Sequence, residues 1–417
     1  MIPRHITKIL ETSLRNFPVV LLVGARQVGK STLVKAIASS SWPARYVTFD
    51  DRTVLDAALT DPDGFIGGLH GPVIIDEVQR APDVLRAIKL VVDHNRRPGM
   101  FLLTGSANVL TLAAVSESLA GRVAVHELHP FSLAELNKKC VPSVMDTLFS
   151  AGSSSEIITS LELVPPAIRE DPVKKFIISG GYPVPALMKD LAACRTWFES
   201  YRKTYIERDL RDIANIANLP DFNRLLTILA LRTGQVLNVS GLARTVGLPT
   251  TSVRRYFNLL VQTYQAFLVR PYLANPGKRL VRSSKVYAGD TGQACCYGAT
   301  DTWQTLEQQD RAGFMVETWV ANELRKLLPL MKGHTDLYFW RERTGYEVDF
   351  ILERGGEVIG LEVKLGTGIP SRTLKSFKRL RESFGDRCRF CVLLHGGKEA
   401  VAVGERTLAL SFRTFFW

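Results

Sequence analysis

The feature that most constrains the fold is the segment VVLLVGARQVGKST, which runs from Val19 to Thr32. Its apolar first part predicts a buried strand, and the segment STLVKAIASS that starts at Ser31 predicts a helix. Between them, Gly24 and Gly29 permit a tight turn, so that backbone N–H groups and the amino end of the helix point at a bound phosphate. This is the GxxxxGK[ST] pattern of a P-loop in its required context, and it predicts an α/β fold that binds a nucleotide.

The P-loop pattern also predicts roles for single residues. Lys30 is expected to reach the β- and γ-phosphates of ATP, and Ser31 is expected to bind Mg²⁺. The residues predicted to surround the nucleotide are Gly24, Ala25, Arg26, Gln27, Val28, Gly29, Lys30, Ser31 and Thr32.

Two further strand-like segments end in polar residues that suit ATP hydrolysis. The apolar run of GPVIIDEVQ ends at Asp76 and Glu77, where Asp76 would hold the Mg²⁺ shell and Glu77 would polarise the attacking water. The next segment, GMFLLTGSANVL, contains Thr104 and Ser106. Either of these two residues could sense the γ-phosphate, or both could be small polar residues of a turn.

A positive side chain beyond this strand could stabilise charge in the transition state of hydrolysis. The candidate is Arg122 in ESLAGRVAVHELHPFS, acting in its own or in a neighbouring subunit. An ordinary surface arginine in a salt bridge is the alternative interpretation.

Strand-like runs alternate with helical segments in the first part of the chain. The runs cover residues 19–23, 45–49, 72–76, 100–104 and 122–127. This alternation predicts a parallel sheet with helices, in a first domain of residues 1–135.

The net charge of +12 is distributed unevenly along the chain. Residues 1–135 and 136–220 each carry +1 and residues 291–417 carry +2, whereas residues 221–290 hold ten basic and two acidic residues, a net of +8. A solvated basic face is the simplest explanation, but so local a surplus is also what a nucleic-acid partner requires.

Residues 136–220 combine a stretch rich in Ser, Gly and Pro with the amphipathic pattern WFESYRKTYIERDL. We expect them to form a helical linker or lid.

Residues 221–290 predict two helices joined by a turn, with Ser240 and Thr251 as candidate caps, followed by two strands around a Pro-Gly-Lys-Arg loop. That order predicts a winged helix. The predicted DNA contacts are the basic residues of its second helix and of its wing, namely Arg254, Arg255, Lys278, Arg279 and Arg282. Winged helices also bind proteins, but the charge favours DNA, held by contacts that are mostly independent of base sequence.

Four charged residues in the last segment, 291–417, form a second candidate site. Asp349 lies on one strand-like run, Glu362 and Lys364 lie two apart on the next, and Glu317 lies near the start of an amphipathic helix. Carboxylates on a helix and two strands, with a lysine beside them, suit a Mg²⁺-dependent phosphodiesterase. An ion-paired set of charges on a half-buried sheet is the alternative.

The cysteines and the apolar runs bear on the compartment. The six cysteines are scattered, which is typical of a reducing cytoplasm, and alternation would place Cys388 and Cys391 on opposite faces of a strand as packing residues. The first residues contain no secretory signal, and no apolar run approaches the roughly 18–20 residues that span a bilayer. We therefore expect a cytoplasmic protein with no membrane partner.

The motifs together resemble a family. GARQVGKST, VIIDEVQ, LLTGSAN, SLAGR, GGYP, TYIERDL, YAGDTG, EVDFI and GLEVKLG follow one another in the order found in prokaryotic AAA+-like P-loop ATPases that carry a winged-helix segment and a C-terminal PD-(D/E)xK domain, similar to restriction endonucleases. The resemblance implies an α/β fold in each outer domain, with ATP and Mg²⁺ bound at the first.

The resemblance also implies site residues. It implies ATP hydrolysis at Lys30, Ser31, Asp76 and Glu77, with Thr104 or Ser106 as sensor and Arg122 as a charged partner. It implies a nuclease-like site at Glu317, Asp349, Glu362 and Lys364. After Asp290 the segment QACCYGA departs from the family pattern, so no role is predicted for Asp290.

The expected function is that of an ATP-hydrolysing DNA-binding motor or remodeller, acting as a ring of identical subunits, such as a hexamer, on branched or forked DNA. An ATP-regulated, Mg²⁺-dependent nuclease is one alternative. A nucleotide-switched regulator whose winged helix binds a protein is the other.

Overall fold

The computed structural model describes residues 2–106, 118–161, 172–206, 218–273 and 283–417. The chain divides into two compact units. The first consists of Met1–Phe131, Thr204–Ile216 and Asn258–Gln265, and the second of Ser132–Lys203, Ala217–Phe257 and Ala266–Trp417.

The first unit contains a five-stranded parallel sheet, which confirms the predicted α/β class. Its strands are β1 (Val19–Gly24), β2 (Arg45–Thr48), β3 (Val73–Asp76), β4 (Phe101–Ser106) and β5 (Val123–Glu127), in the order β2-β3-β4-β1-β5. Every residue of β1, β3 and β4 is buried, because a parallel sheet is covered on both faces.

In the part of the first unit that the structure describes, helices precede or follow these strands. They are α1 (Thr7–Asn16), α2 (Lys30–Ser40), α3 (Arg52–Thr60), α4 (Pro62–Gly67) and α5 (Val84–His94), with a 3₁₀ turn at Val78–Arg80. The core joins alternate residues of β1, such as Leu21 and Val23, to apolar residues of α5 such as Ile88.

The second unit contains a nine-stranded mixed sheet. Its strands are β6 (Gln235–Val236), β7 (Ala266–Pro271), β8 (Lys285–Ala288), β9 (Asp336–Arg341), β10 (Glu347–Arg354), β11 (Glu357–Lys364), β12 (Cys388–His395), β13 (Val401–Gly404) and β14 (Thr407–Ser411). The order is β13-β14-β12-β11-β10-β9-β7-β8-β6.

Helices occupy much of the chain after Phe131. They are α6 (Leu133–Leu136), α7 (Val144–Ser150), α8 (Ser154–Ser160), α9 (Pro172–Ser179), α10 (Pro183–Leu187), α11 (Leu191–Tyr201), α12 (Leu219–Leu231), α13 (Val239–Val246), α14 (Thr250–Gln262), α15 (Thr291–Tyr297), α16 (Trp303–Gln308), α17 (Ala312–Leu327), α18 (Ser371–Phe384) and α19 (Phe412–Phe416), with a π-helical turn at Arg202–Ile206 and 3₁₀ turns at Leu328–Leu330 and Gly385–Arg387.

The predicted helix pair is present as α13 and α14, but both predicted caps are wrong. Helix α13 begins before Ser240, and the side chain of Asn238 accepts the cap hydrogen bond from the Gly241 N–H at 2.9 Å. Helix α14 begins at Thr250, so Thr251 lies inside it. Strands β7 and β8 then pair in antiparallel fashion.

Strand β7 also pairs in parallel with β9, through Arg270 opposite Tyr338. The strands that follow the helix pair therefore belong to the same sheet as the C-terminal segment. Strands β10 and β11 form a hairpin, in which Gly355 and Gly356 make the two-residue turn with φ of 58° and 88°.

The prediction that Cys388 and Cys391 lie on opposite faces of a strand is wrong. The pairing of β12 with β11 shifts register, so that Val358 lies opposite Cys388 while Ile359 lies opposite Phe390. This extra residue in β12 brings both cysteines to one face. Both are buried, and their sulfur atoms are 3.8 Å apart.

Parts of the sequence analysis fall on residues that the structure does not describe. The three predicted wing residues, Lys278, Arg279 and Arg282, lie outside the described residues, as do segments 162–171 and 207–217 of the predicted linker. The predicted boundaries at 135, 220 and 290 stay predictions. Across the described parts of the chain, every helix is too short or too polar to span a bilayer.

Candidate active site

The carboxyl ends of β1, β3 and β4 meet at one edge of the parallel sheet. Leu22 lies opposite Thr104 and Gly24 opposite Ser106 in the β1–β4 pair, while Ile75 lies opposite Leu103 in the β3–β4 pair. The loop after β1, the acidic pair after β3 and the polar end of β4 are therefore neighbours, as the order of the motifs predicts.

The loop after β1 has the backbone that its glycines allow. Gly29 adopts φ of 96° immediately before α2, and Gln27 adopts φ of 65°. At Gly24 a Cβ atom would collide with the backbone carbonyl of Leu128, so only glycine fits there. Gly29, the N-cap residue of α2, has no side chain to cap the helix, and the N–H groups at such a helix end suit a bound anion.

Lys30 lies over this loop. Its ammonium group is buried and donates hydrogen bonds to the carbonyl oxygens of Gly24 and Ala25, each at 2.9 Å. The charge is therefore held at the mouth of the loop, where a phosphate would bind. The loop, the uncapped helix and this lysine together fit a nucleotide phosphate.

Asp76 is buried at the end of β3, and two hydroxyl groups bind its carboxylate. Tyr46 on β2 donates to Oδ2 at 2.5 Å, and Thr104 on β4 donates to Oδ1. Thr104 also accepts a hydrogen bond from the Glu77 N–H at 3.3 Å. Burial, together with the hydrogen bond to Asp76, raises the pKa of Tyr46, so its hydroxyl group stays protonated as a donor.

Glu77 follows Asp76 in the left-handed region, with φ of 62°. Its carboxylate accepts hydrogen bonds from the Gln79 amide and, at 3.4 Å, from the hydroxyl of Ser106. Gln79 also donates to Ser106 at 3.0 Å. Glu77, Gln79 and Ser106, which we call the Glu77 network, thus fix the orientation of the carboxylate.

Tyr46 and Gln79, which contact Asp76 and Glu77, were not predicted from the sequence. Gln79 had a signal, because it is a polar residue two positions after the acidic pair. Tyr46 had none, because its contact depends on the pairing of β2 with β3, which places Thr48 opposite Asp76.

The structure does not bring Arg122 to this edge. Arg122 precedes β5, whose first residue Val123 lies opposite Val19 at the start of β1, so it lies at the amino end of the sheet. The P-loop lies five residues further along β1, roughly 16 Å away at the rise of a strand. Arg122 instead forms a two-point ion pair with Asp93, at 2.5 and 2.9 Å. The prediction that Arg122 acts at the phosphates of its own subunit is therefore wrong, whereas its role in a neighbouring subunit stays a prediction.

Helix α14 has a buried face and an exposed face. Val253, Phe257 and Leu260 are buried, whereas Arg254 and Arg255 are exposed. Both arginines are thus positioned to meet an external partner.

The predicted nuclease-like residues come together, but with two partners that the sequence analysis did not assign to them. Lys285 on β8 reaches into the set, where its ammonium group lies 3.0 Å from Glu317, 2.6 Å from Glu347 and 3.6 Å from Asp349. Its side chain is only 5% exposed. Glu347 could have been found by alternation from Asp349, whereas Lys285 is about sixty residues away in sequence and gave no signal.

The other half of this set is paired as well. Lys364 contacts Glu362 at 2.7 Å, and the second oxygen of Asp349 accepts a hydrogen bond from the Val363 N–H at 2.9 Å. Among the residues that the structure describes, no three acidic, histidine or cysteine side chains are arranged to hold a metal ion. These residues do not fit the implied Mg²⁺, and the ion-paired interpretation describes them better than the metal site does.

The pKa values agree with a paired, buried set. Burial and repulsion by Asp349 raise the pKa of Glu317 to about 7 and that of Glu362 to about 8. Burial would lower the pKa of Lys285, but attraction by Glu317, Asp349 and Glu347 outweighs it, so the pKa is raised and the lysine stays charged.

Asp290, for which no role was predicted, stabilises the fold of the second unit. It is buried, caps α15 through the Gln293 N–H at 3.0 Å, and accepts the Gly181 N–H at 2.7 Å. At Gly180, with φ of 71°, a Cβ atom would collide with its carboxylate. Residues of the GGYP and YAGDTG motifs therefore contact each other.

Three family models match successive parts of the chain. The model described as an AAA domain matches residues 16–137. Two models described as domains of unknown function, DUF8612 and DUF4143, match residues 170–303 and 312–415.

Two relatives and one solved structure complete the comparison. The uncharacterized proteins Rv2008c of Mycobacterium tuberculosis and Mb2031c of Mycobacterium bovis are each 31% identical over 369 residues, which is 88% of this chain and 75% of each relative. The Holliday junction branch migration motor RuvB of Thermotoga maritima is 19% identical, with 74% of this chain and 95% of that chain covered, at a TM-score of 0.30. The chain therefore belongs to the family of these two mycobacterial proteins, and its residues 16–137 form an AAA domain of the P-loop ATPase class.

Proposed function

We propose that this protein hydrolyses ATP at the edge of its parallel sheet and uses the reaction to change its hold on DNA. The observation that carries the proposal is the meeting of Lys30, Asp76 and the Glu77 network at the carboxyl ends of β1, β3 and β4. In P-loop ATPases, bound ATP with Mg²⁺ supplies the phosphoryl group that is transferred to water.

The chain's own residues divide the work of this reaction. The N–H groups of the loop and the ammonium of Lys30 bind phosphate oxygens, and Ser31 and Asp76 are the residues that would hold the metal. Glu77 orients the water and takes its proton, while Thr104 positions the acidic pair through hydrogen bonds to both residues.

The DNA part of the proposal rests on charge and exposure. Segment 221–290 carries a net charge of +8, and Arg254 and Arg255 are exposed on α14. We propose that α13, α14 and the β7–β8 pair act as a winged helix that binds the phosphate backbone, in a ring of identical subunits. Lys285 is excluded from this interface, because it is buried in the acidic set.

The test is the ATPase rate with and without duplex, forked and four-way DNA at low salt. We expect DNA to change the wild-type rate and Glu77→Gln to abolish hydrolysis while it still binds ATP. Sizing this variant with ATP would show whether it assembles into a ring. A wild-type rate that ignores every DNA would overturn the DNA proposal and leave the ATPase proposal standing.

A charge-matched pair of variants tests the interface. Arg254→Ala with Arg255→Ala should weaken DNA binding and reduce the salt dependence of the affinity by about two counterions. Arg372→Ala with Arg379→Ala removes the same charge from exposed positions on α18 and should leave DNA binding unchanged. Equal losses in both pairs would contradict a specific face on α14.

The alternative function, a nucleotide-switched regulator that binds a protein, differs from the DNA motor in its kinetics. It requires slow turnover, long retention of the nucleotide and no DNA binding. No contact in the described residues favours it over the DNA proposal.

A further inference from the structure

The ammonium group of Lys285 lies at the centre of the C-terminal acidic set. Oxygen atoms of three carboxylates surround it, on α17 (Glu317) and on β10 (Glu347 and Asp349), at 2.6 to 3.6 Å. The ammonium group donates a hydrogen bond to Glu317 at 3.0 Å, lies 2.6 Å from Glu347 and forms a longer ion pair with Asp349 at 3.6 Å. The phenol of Tyr287, also on β8, donates to Glu317 at 2.6 Å.

We infer that Lys285 is the permanent cation of this acidic set, so that the set binds no divalent metal and the C-terminal domain cuts no DNA. The inference does not depend on the proposed ATPase or DNA functions. It assigns the lysine the electrostatic role that a metal ion has in a phosphodiesterase of this layout.

Charge is the first argument. A divalent cation among these carboxylates would lie within a few ångströms of a buried ammonium group, where repulsion is screened far less than in water. Lys285 cannot swing into solvent without leaving the carboxylates of Glu317 and Asp349 unpaired in a buried place. Metal binding therefore has to displace a group that the fold holds.

The contacts of the other groups in the set also speak against a phosphodiesterase site. A phosphodiesterase needs free carboxylate oxygens and a lysine free to act on water. Here Lys364 is held by Glu362 at 2.7 Å, and Asp349 is held by the Val363 N–H as well as by Lys285. Lys364 and both oxygens of Asp349 therefore already have partners.

The inference gives the set a structural role instead. Lys285 reaches over the ring of Phe339 on β9, at 5.6 Å, to the start of β10. These ion pairs thus connect β8 to strand β10, which is not the neighbour of β8 in the sheet, and to helix α17.

The test is to measure Mn²⁺ binding to the full-length protein without nucleotide, by calorimetry and by the shift of Tm. Wild type should show no saturable binding that depends on Asp349. Lys285→Met should bind one Mn²⁺ at least about tenfold more tightly than wild type, because three carboxylates lose their cation. Adding Asp349→Asn to Lys285→Met should remove that binding.

Lys326→Met is the matched control. The side chain of Lys326 is also largely buried, and it contacts the buried carboxylate of Glu323 at 2.8 Å, away from the set around Lys285. Its replacement should add no Mn²⁺ site. Any contribution of the P-loop to metal binding is the same in all of these proteins and cancels.

Three results would overturn the inference. They are wild-type Mn²⁺ binding that is lost in Asp349→Asn, cleavage of DNA that requires a divalent cation and Lys364, and a folded Lys285→Met protein that gains no site. If Lys285→Met does not fold, Lys285→Met with Glu347→Gln removes a negative charge together with the positive one and is tested in the same way. The wild-type measurements decide the nuclease question by themselves.

Discussion

Thr104 donates a hydrogen bond from its hydroxyl group to the carboxylate of Asp76, from one strand of the parallel sheet to the next. The same oxygen accepts the N–H of Glu77. One side chain therefore joins the residue that would hold the metal to the residue that would activate water.

Replacing Thr104 by valine keeps the shape of the side chain and removes both hydrogen bonds. We expect kcat for ATP to fall about 10- to 100-fold, because the acidic pair loses its orientation. The affinity for ATP should change little, because the P-loop is intact. Thr104→Ser is the control and should retain most of the activity. An unchanged kcat in Thr104→Val would refute this role.

Gln79 holds Glu77 from the other side. Gln79→Leu removes the amide that donates to Glu77 and to Ser106. We expect a fall in kcat of about tenfold with near wild-type nucleotide affinity, because the general base is less well oriented. The comparison variant is Arg80→Leu at the neighbouring exposed position, where the guanidinium group pairs with Asp50 at 2.8 Å. Equal kcat values in the two variants would show that Gln79 positions nothing.

The contact between Gly180 and Asp290 predicts a large effect on stability. Gly180→Ala places a methyl group against the buried carboxylate, and we expect the free energy of unfolding to fall by about 2–4 kcal/mol. Gly345 has φ of 88° with open space around it, so Gly345→Ala isolates the backbone cost of about 1–2 kcal/mol. Urea unfolding of both variants measures the difference, and equal losses would contradict the collision.

Stability should depend on pH through Glu317. Its folded-state pKa is raised from 4.5 to about 7, so as the pH rises the unfolded chain loses this proton first, and the free energy of unfolding falls between those two values. Glu317→Gln abolishes this titration, and the decline from pH 5 to 8 should become smaller by on the order of 3 kcal/mol. Glu362 titrates in both proteins and supplies the remaining slope. Urea unfolding at several pH values checks this, and parallel profiles would refute it.

Local patterns were sufficient for much of the fold. The five parallel strands, the helix pair and the β10–β11 hairpin follow from apolar periodicity and turn glycines, all of which act over a few residues. The residues of the nucleotide edge follow as well, because parallel strands end at a common edge and the motifs mark those ends.

Contacts that depend on the tertiary fold were not predictable from the sequence. Lys285 meets its carboxylates only because β8 joins the same sheet as β10, and the Cys388–Cys391 contact requires a bulge that alternation does not reveal. Arg122 shows the converse, since its sequence context suggested a phosphate contact while the register of β5 places it at the far end of the sheet.

The pairing of β7 with both β8 and β9 has a mechanical consequence. A strand cannot slip by one residue against its neighbour without turning its buried side chains to the opposite face. The pairing of β7 with both β8 and β9 therefore resists a shift of one strand along another. A force applied to α13 and α14 would therefore reach the C-terminal strands through β7. Cleaving the chain near residue 290 would accordingly separate β6, β7 and β8 from the other six strands of their sheet.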